Sequence, residues 1–591
     1  MTLVKTGTAF ALALVLVLTA TGLWAAAAEE DPAAAAEKEM VLDPTTGKMV
    51  TAPEYGGTIT LAAVEEQMSS DTAESGPNGS GMVDGVVEKL AFADWATPRD
   101  EFDFQFLNVP ANTRGQLAES WSQPDPLTLV INVRQGVHWH DKAPMNGREL
   151  LADDIVFNFH RVFGMGSGFT EPSEWLQDWA GVEFESITAT DQWTVEFKLK
   201  QLSLTALRLV LDHWISNIYP PEVLQEHGDM LDWRNLVGTG PYEATEWVGA
   251  SSETYTKNPD YWGFDEKYPE NRLPYADEIR VLIMPEVATM LSAVRTGKVD
   301  RGYTLRTIDQ VEGLERTNPE LEIWPIYGRA DYMFGMDNIN PPFNDIRVRK
   351  AMQMALNLEE INSAYFGGHA DMIPQGLLNR LMTEVVFQFE EWPEDVKKVF
   401  DYDPEGAEAL LDEAGYPRGA DGTRFSVEFM HLNRYSVTWP ELVGSYWKKI
   451  GVDIEIEVLP INPWVARSRA KDFQIKNLSG AAKWFPMPYL SGQLTEAGFY
   501  GSVNADADYD AMSEAAGAAT TTEEQNRIYR QMNQHVIENF YAIWAGNAPT
   551  YQVTQPWLKG YNGENWMGNG QKIPVFARLW IDQDLKKEMG F

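Results

Sequence analysis

The chain contains no cysteine among its 591 residues. That absence excludes disulfide bonds, thiol catalysis, thiolate metal sites and a lipid attached to an N-terminal cysteine. Basic residues are the next shortage: 47 Lys and Arg stand against 87 Asp and Glu, a formal net charge of −40. A polyanion of that size repels nucleic acid and anionic lipid, so neither is expected as a partner. Its plain consequence is colloidal solubility. Histidine is sparse, with eight in all, and no H-E-x-x-H, Walker or dinucleotide glycine pattern occurs. Gly79-Ser80-Gly81 lacks the full G-x-S-x-G elbow of a serine hydrolase. Beyond residue 24 no second apolar run is long enough to span a bilayer.

What is present begins with residues 1–28. A lone cation, Lys5, precedes an uncharged run over residues 9–24 and an Ala26-x-Ala28 exit before Glu29. That order predicts a secretory signal peptide removed after Ala28, with an uncleaved anchor as the alternative. Either way the remainder works outside the cytoplasm. About 560 residues then remain, enough for two to four domains. Hydrophobic residues make up 44% and aromatics 12%, ample for globular packing without disulfides.

Residues 29–55 show no periodicity and are expected to be a flexible tether. Order begins at Gly56-Gly57-Thr58-Ile59-Thr60-Leu61, an alternating strand entered through glycines. Residues 69–81, rich in Ser, Gly and Asn, read as a loop that lines a cleft or lies on plain surface. Asp403-Pro404-Glu405 opens a helix with a cap, a first-turn proline and a well-placed acid. Gly415 and Pro417 close it. Thr522-x-x-Gln525 reads as a capping box ahead of Ile528, Met532 and Val536. Val348, Ala351, Met352, Ala355 and Leu356 form a buried stripe ending at Asn357-x-x-Glu360, a cap for the next helix. A helix ending near Lys449 passes through Gly451 into Val452, Ile454, Ile456 and Val458, an α/β exchange. No solenoid or propeller period is present.

Four blocks carry a resemblance. The first is Leu117-Ala118-Glu119-Ser120-Trp121, then residues 133–141 (Val-Arg-Gln-Gly-Val-His-Trp-His-Asp), then Ala152-Asp153-Asp154-Ile155-Val156-Phe157. Ile155, Val156, Phe159, Val162 and Phe163 make one apolar helix face, with Asp153 or Asp154 at its cap. The second is Val237-Gly238-Thr239-Gly240-Pro241-Tyr242, a glycine-permitted turn, with Asn258-Pro259-Asp260-Tyr261-Trp262 behind it. The third runs from Pro342 to Ala351 and the fourth from Asp403 to Tyr416. In this order, behind an export signal, they resemble the extracytoplasmic solute-binding proteins of the peptide and nickel class, family 5, that serve ABC importers. The resemblance covers nearly the whole chain from Gly56 onward.

The resemblance implies an α/β, two-lobed periplasmic-binding-protein-like fold (class II, cluster C) with an extra β-rich subdomain on the first lobe. It divides the chain into lobe I at 56–90, the subdomain at 91–215, lobe I again at 216–330, lobe II at 331–545, and lobe I at 546–591. A small solute would bind between the lobes, and closure would present it to the membrane permease. The implied protein is a monomer of the periplasm or extracytoplasmic envelope. It is no enzyme, needs no cofactor and inserts no mature segment into the membrane.

The solute is open at this level. Peptide binders of the family carry a Trp-x-x-Asp segment in the second lobe, whose aspartate pairs with the peptide amine. Placing residues 472–479 on the preceding strand sets Gly480-Ala481-Ala482-Lys483 on that motif, followed by Trp484-Phe485-Pro486-Met487-Pro488. Lys483 then stands where the carboxylate would, exchanging an attractive for a repulsive pair with a ligand amine. In a low-dielectric cleft that exchange is on the order of several kcal/mol. Lys483 suits a carboxylate or a sugar hydroxyl, and a solvent-facing lysine is the alternative. Twenty-one tryptophans invite an oligosaccharide, with Trp484 and Trp464 as platforms, while Trp121, Trp139 and Trp262 fall in fold blocks and read as core. The candidate contacts are Glu65, Gln67, Tyr332, Lys483, Trp484 and Phe485.

Rival classes remain. His138-x-His140 on one side of a strand is a two-ligand metal pattern without a third partner, and a structural role is favoured. Acid pairs such as Glu65-Glu66 and Asp153-Asp154 are expected by chance among 87 acids. A glycoside- or peptide-hydrolysing enzyme would need carboxylates set across a cleft. A sensory binding protein for a membrane receptor would share the same fold.

Overall fold

A computed structural model describes residues 38–64, 71–75, 85–102, 104, 112–176, 182–230, 232–327, 330–433, 435–480, 486–495, 497, 501–564 and 573–591. Gly56 and Gly57 sit at φ +102° and +78°, which turns the chain into strand Thr58–Ala63 with Ile59 and Leu61 inward. This strand pairs in parallel with Glu278–Ile283. Antiparallel Ser252–Lys257 and Tyr242–Val248 follow outward. On its other side Arg301 bridges Leu61 to Thr554, joining the antiparallel pair Glu322–Ile326 and Thr550–Thr554. One sheet thus collects strands from distant parts of the chain.

The second sheet has the order Val452–Leu459, Phe425–Leu432, Ile475–Gly480, Ala330–Met336, Ala542–Trp544. Its first two strands are parallel in unbroken register from Phe425↔Val452 to Leu432↔Leu459. Helix Thr438–Lys449 makes the crossover, burying Val443, Tyr446 and Trp447, and Gly451 at φ +86° turns it into the next strand. This is the helix-to-strand exchange expected from the sequence.

A third, antiparallel sheet orders Ala118–Asp125, Thr128–Val133, Thr194–Leu199 and Phe184–Asp191. Helix Ala152–Phe163 lies on it, with Phe159 edge-on to Phe197 at 5.0 Å. Asp154 is the acid at the helix start: its Oδ2 accepts the Leu151 N–H at 2.9 Å and its carboxylate takes both ends of Arg148. One continuous hydrophobic cluster spans this sheet and the first, from Ile59 through Phe197 to Ile581. Buried Glu88 ties them further, accepting from Gln116 Nε2, Thr239 Oγ1, Tyr261 OH and Trp262 Nε1 at 2.8–3.1 Å. Burial pushes its carboxyl above the usual range despite those donors.

Three expectations are refined. Residues 40–51, read as tether, form the hairpin Met40–Asp43 and Lys48–Thr51. It is pinned by the Lys267–Asp43 ion pair at 3.2 Å and by the Arg99 N–H on Thr45 O at 3.0 Å. Four-residue strands whose Met40, Leu42 and Met49 stay exposed give no buried face for a pattern to reveal. The Gly238-Thr239-Gly240 block needs its glycines for close approach: a Cβ at Gly238 would lie 1.8 Å from Val86 O. Helix Thr522–Glu538 is capped by Thr521, whose extended backbone lets its hydroxyl accept the Glu524 N–H at 3.2 Å. Asp403 and Asn357 cap their helices as expected.

Candidate functional site

The two large sheets are joined by two crossings. The chain leaves the first at Ile326 and enters the second at Ala330, then leaves the second at Trp544 and re-enters the first at Thr550. The crossing strands are paired on both sides, Ile326↔Thr550 in one sheet and Met333↔Trp544 in the other. Such a pair is a hinge: it fixes the direction of motion while a few connecting residues absorb the rotation.

Register shows which ends of the sheets face this hinge. Residues 301–305 run parallel to Thr58–Ala63, and Leu305 reaches Tyr551, next to the crossing. In the second sheet Ala330, the hinge residue, pairs with Gly480, the last residue of its strand. Phe425–Leu432 is parallel to that strand. The carboxyl ends of the parallel strands in both sheets therefore point to the crevice at the hinge. That is where open α/β sheets bind ligands.

Of the candidate residues, Tyr332 lies on the entering strand. Its ring is half-buried, 4.7 Å from Phe366 and 4.9 Å from Trp439, with Tyr365 at 6.3 Å. Its carbonyl accepts the Ala545 N–H at 3.0 Å, across the two crossing strands. Burial pushes the Tyr365 hydroxyl up. Glu65, Gln67, Lys483, Trp484 and Phe485 lie outside the described residues. In sequence they directly follow Thr58–Ala63 and Ile475–Gly480, two strands with crevice-facing ends.

Trp464 is no platform. It is buried in the second lobe with Met430, Leu432, Phe473 and Val503, and its ring lies 5.4 Å from Lys476 Nζ. Trp139 is core, its Nε1 donating to Asp154 at 3.3 Å. The two histidines do not converge. His138 is exposed and contacts Gly136 O, whereas His140 is buried between Gly240 O at 2.9 Å and the Gly238 N–H at 3.3 Å. Among the described residues no cluster of three or more His, Asp and Glu can hold a metal.

The lobes touch at points that sequence reasoning did not find. The Arg306 guanidinium stands 5.4 Å from the Tyr435 ring, and Arg469 stands 5.7 Å from Trp175. Leu204 of the first lobe packs on the second-lobe cluster of Leu378, Leu490 and Trp544. Tyr435 follows the carboxyl end of Phe425–Leu432, which is the one signal that marks it beforehand.

The model described as bacterial extracellular solute-binding proteins, family 5 Middle, matches residues 112–501. Heme-binding protein A of Haemophilus influenzae is 25% identical over 483 residues, covering 77% of this chain and 83% of that protein. A dipeptide-binding protein from Pseudoalteromonas sp. SM9913, solved with Met-Leu, superposes with a TM-score of 0.71 at 19% identity over 89% of this chain and 100% of that one. The binding protein AgaA from A. tumefacien R10, solved with agropinic acid, gives a TM-score of 0.67 at 18% identity over 89% and 99%.

Proposed function

The chain belongs to the bacterial extracellular solute-binding proteins of family 5, and from that premise we propose that it captures a peptide-class or carboxylate-bearing solute for an ABC import permease. The observation that carries this reading is the pair of sheets whose carboxyl strand ends meet over a two-strand hinge. A solute bound there contacts both lobes only when they close, so binding and closure are coupled. Relatives solved with Met-Leu and with agropinic acid support one crevice adapted to chemically different small solutes.

In this reading Tyr332 contributes an aromatic wall, Glu65 and Gln67 polar contacts from the first lobe, and Lys483, Trp484 and Phe485 a cation and two ring faces from the second. Lys483 takes a carboxylate or a sugar hydroxyl, so an oligosaccharide is the competing cargo. The seven-part division into signal, tether, three lobe I segments, subdomain and lobe II belongs to the same reading, apart from the hairpin at 40–51. So do cleavage after Ala28, a monomeric mature chain in the extracytoplasmic envelope, and transport without turnover.

Mass spectrometry of the solute released on denaturing the purified protein tests it, together with small-angle scattering before and after reloading. An intact solute and a smaller radius of gyration on reloading are expected. A chemically altered product, or an unchanged radius, would overturn the carrier reading.

A further inference from the structure

A cavity of about 360 Å³ lies under the hairpin at 40–51, within the size range of small-molecule pockets. Its described lining comes from the hairpin and the first lobe, with no residue of the second lobe. The hairpin stands outside residues 112–501, the part matched by the family model. It closes one side of the cavity with Met40, Asp43, Met49 and Val50.

The other walls are aromatic: Trp95, Tyr268, Trp324, Tyr561 and Trp580. Trp324 stands edge-on to Tyr561 at 5.9 Å, held by its Nε1 on Thr554 Oγ1 at 3.3 Å. Among the described residues the side-chain polar groups of Trp95, Tyr268 and Trp580 have no hydrogen-bond partner. The lining charges balance, with Asp43, Asp265 and Glu322 against Lys267, Lys559 and Arg578. Most are engaged. Asp43 holds Lys267 at 3.2 Å, and Glu266 clamps Arg578. Asp265 accepts the Tyr275 hydroxyl at 2.8 Å and the Lys267 N–H at 2.7 Å. Glu322 and Lys559 are left, one acid and one base, whose side chains make neither a hydrogen bond nor an ion pair among the described residues. Burial pushes the Glu322 carboxyl up, and the Lys559 charge opposes that push.

We propose that this cavity binds a neutral saccharide unit, at a site separate from the interlobe crevice. Ring faces set at several angles suit the apolar C–H faces of a pyranose. The sugar's hydroxyls both donate and accept, and the cavity offers both roles: two indole N–H groups, the Tyr268 hydroxyl and the Lys559 ammonium as donors, the Glu322 carboxylate as acceptor. An organic cation would call for acids in excess and an anion for bases in excess; the balanced lining favours neither.

The test is titration of the full mature chain with glucose, galactose, N-acetylglucosamine, maltose and cellobiose, read by calorimetry, hydrogen exchange and small-angle scattering. At least one should bind and protect the amides of residues 40–51, with the radius of gyration unchanged because no second-lobe group is engaged. Glu322→Ala and Trp324→Ala should each weaken that binding about 10-fold or more. No binding at millimolar sugar overturns the proposal. So does binding that contracts the protein, leaves the hairpin amides unprotected or is unchanged by either substitution, since the sugar would then sit elsewhere. Tighter binding of choline or of glycine than of any sugar overturns the neutral-ligand assignment. If a variant does not fold, the exchange map and scattering of the wild type still decide.

Discussion

His140 should make the protein lose stability in mild acid, well before its carboxylates are protonated. The Gly238 N–H points at Nδ1, so Nδ1 carries no proton and Nε2–H donates to Gly240 O. A second proton would set N–H against N–H in a fully buried site. Burial pushes the imidazole from 6.5 down to about 4, and the nearby Lys142 charge adds to the push. Unfolded, the ring binds a proton near pH 6.5; folded, only near pH 4. Between those values unfolding takes up a proton, so stability is whole above the upper one and falls as pH drops toward the lower. The full loss is about 3 kcal/mol, of which about 2 kcal/mol is gone between pH of about 7 and about 5. Guanidinium unfolding of wild type and His140→Gln across that range reads it directly. The variant's absolute stability is immaterial, because the slopes are compared; His431, also pushed down by burial, contributes equally to both. Parallel slopes would refute the argument, since they would mean that His140 titrates alike in both states.

Lys476 is fully buried, and loss of hydration pulls its ammonium down to about 7. Lys476→Met should therefore raise stability near neutral pH by up to about 4 kcal/mol, with a pH-independent gain in melting temperature counting against the reasoning. Wild type should weaken relative to that variant as pH falls from 10.5 toward 7, because the unfolded lysine takes the proton first. Asp71 pairs side-on with Arg161, with both side chains at most 5% exposed. Asp71→Asn should cost about 3 kcal/mol in chemical denaturation, and a loss within experimental error would show the pair to be dispensable. Arg306→Ala removes one lobe-to-lobe contact and should weaken solute binding about 3-fold with no change in melting temperature of the empty protein.

The fold was legible where the chain signals through its own neighbours. Helix caps at Asp403 and Asn357, the apolar face of Ala152–Phe163, and the turn at Gly451 are local, and the structure has them where the sequence put them. The cap at Thr521 shows the resolution of that reading: three threonines in a row offer equivalent hydroxyls, and only backbone conformation selects one. The hairpin at 40–51 escaped because it is held by ion pairs of Lys38, just before it, to Asp582 and of Asp43 to Lys267, hundreds of residues away, and not by an apolar face. Glycine's role at 238 escaped for the same reason, since the clash it avoids is with residue 86. The contacts between lobes, Arg306 with Tyr435 and Arg469 with Trp175, are long-range pairs of side chains with no fixed spacing, so no motif can announce them.

Those contacts also bear on how strongly the lobes close unaided. Both are partly exposed cation–π pairs, each worth about 0.5–1 kcal/mol. The two pairs together contribute no more than about 2 kcal/mol, a factor of about 30 in the open–closed equilibrium, and the apolar Leu204 contact adds to them. Moving such an equilibrium from nearly all open to nearly all closed takes about 5.5 kcal/mol. The missing part must come from the solute, through groups that each lobe presents only at closure. A hinge biased this weakly leaves most of the closing free energy to the solute. Stronger clasps would close it empty, and a wholly non-contacting rim would demand all the energy from the solute.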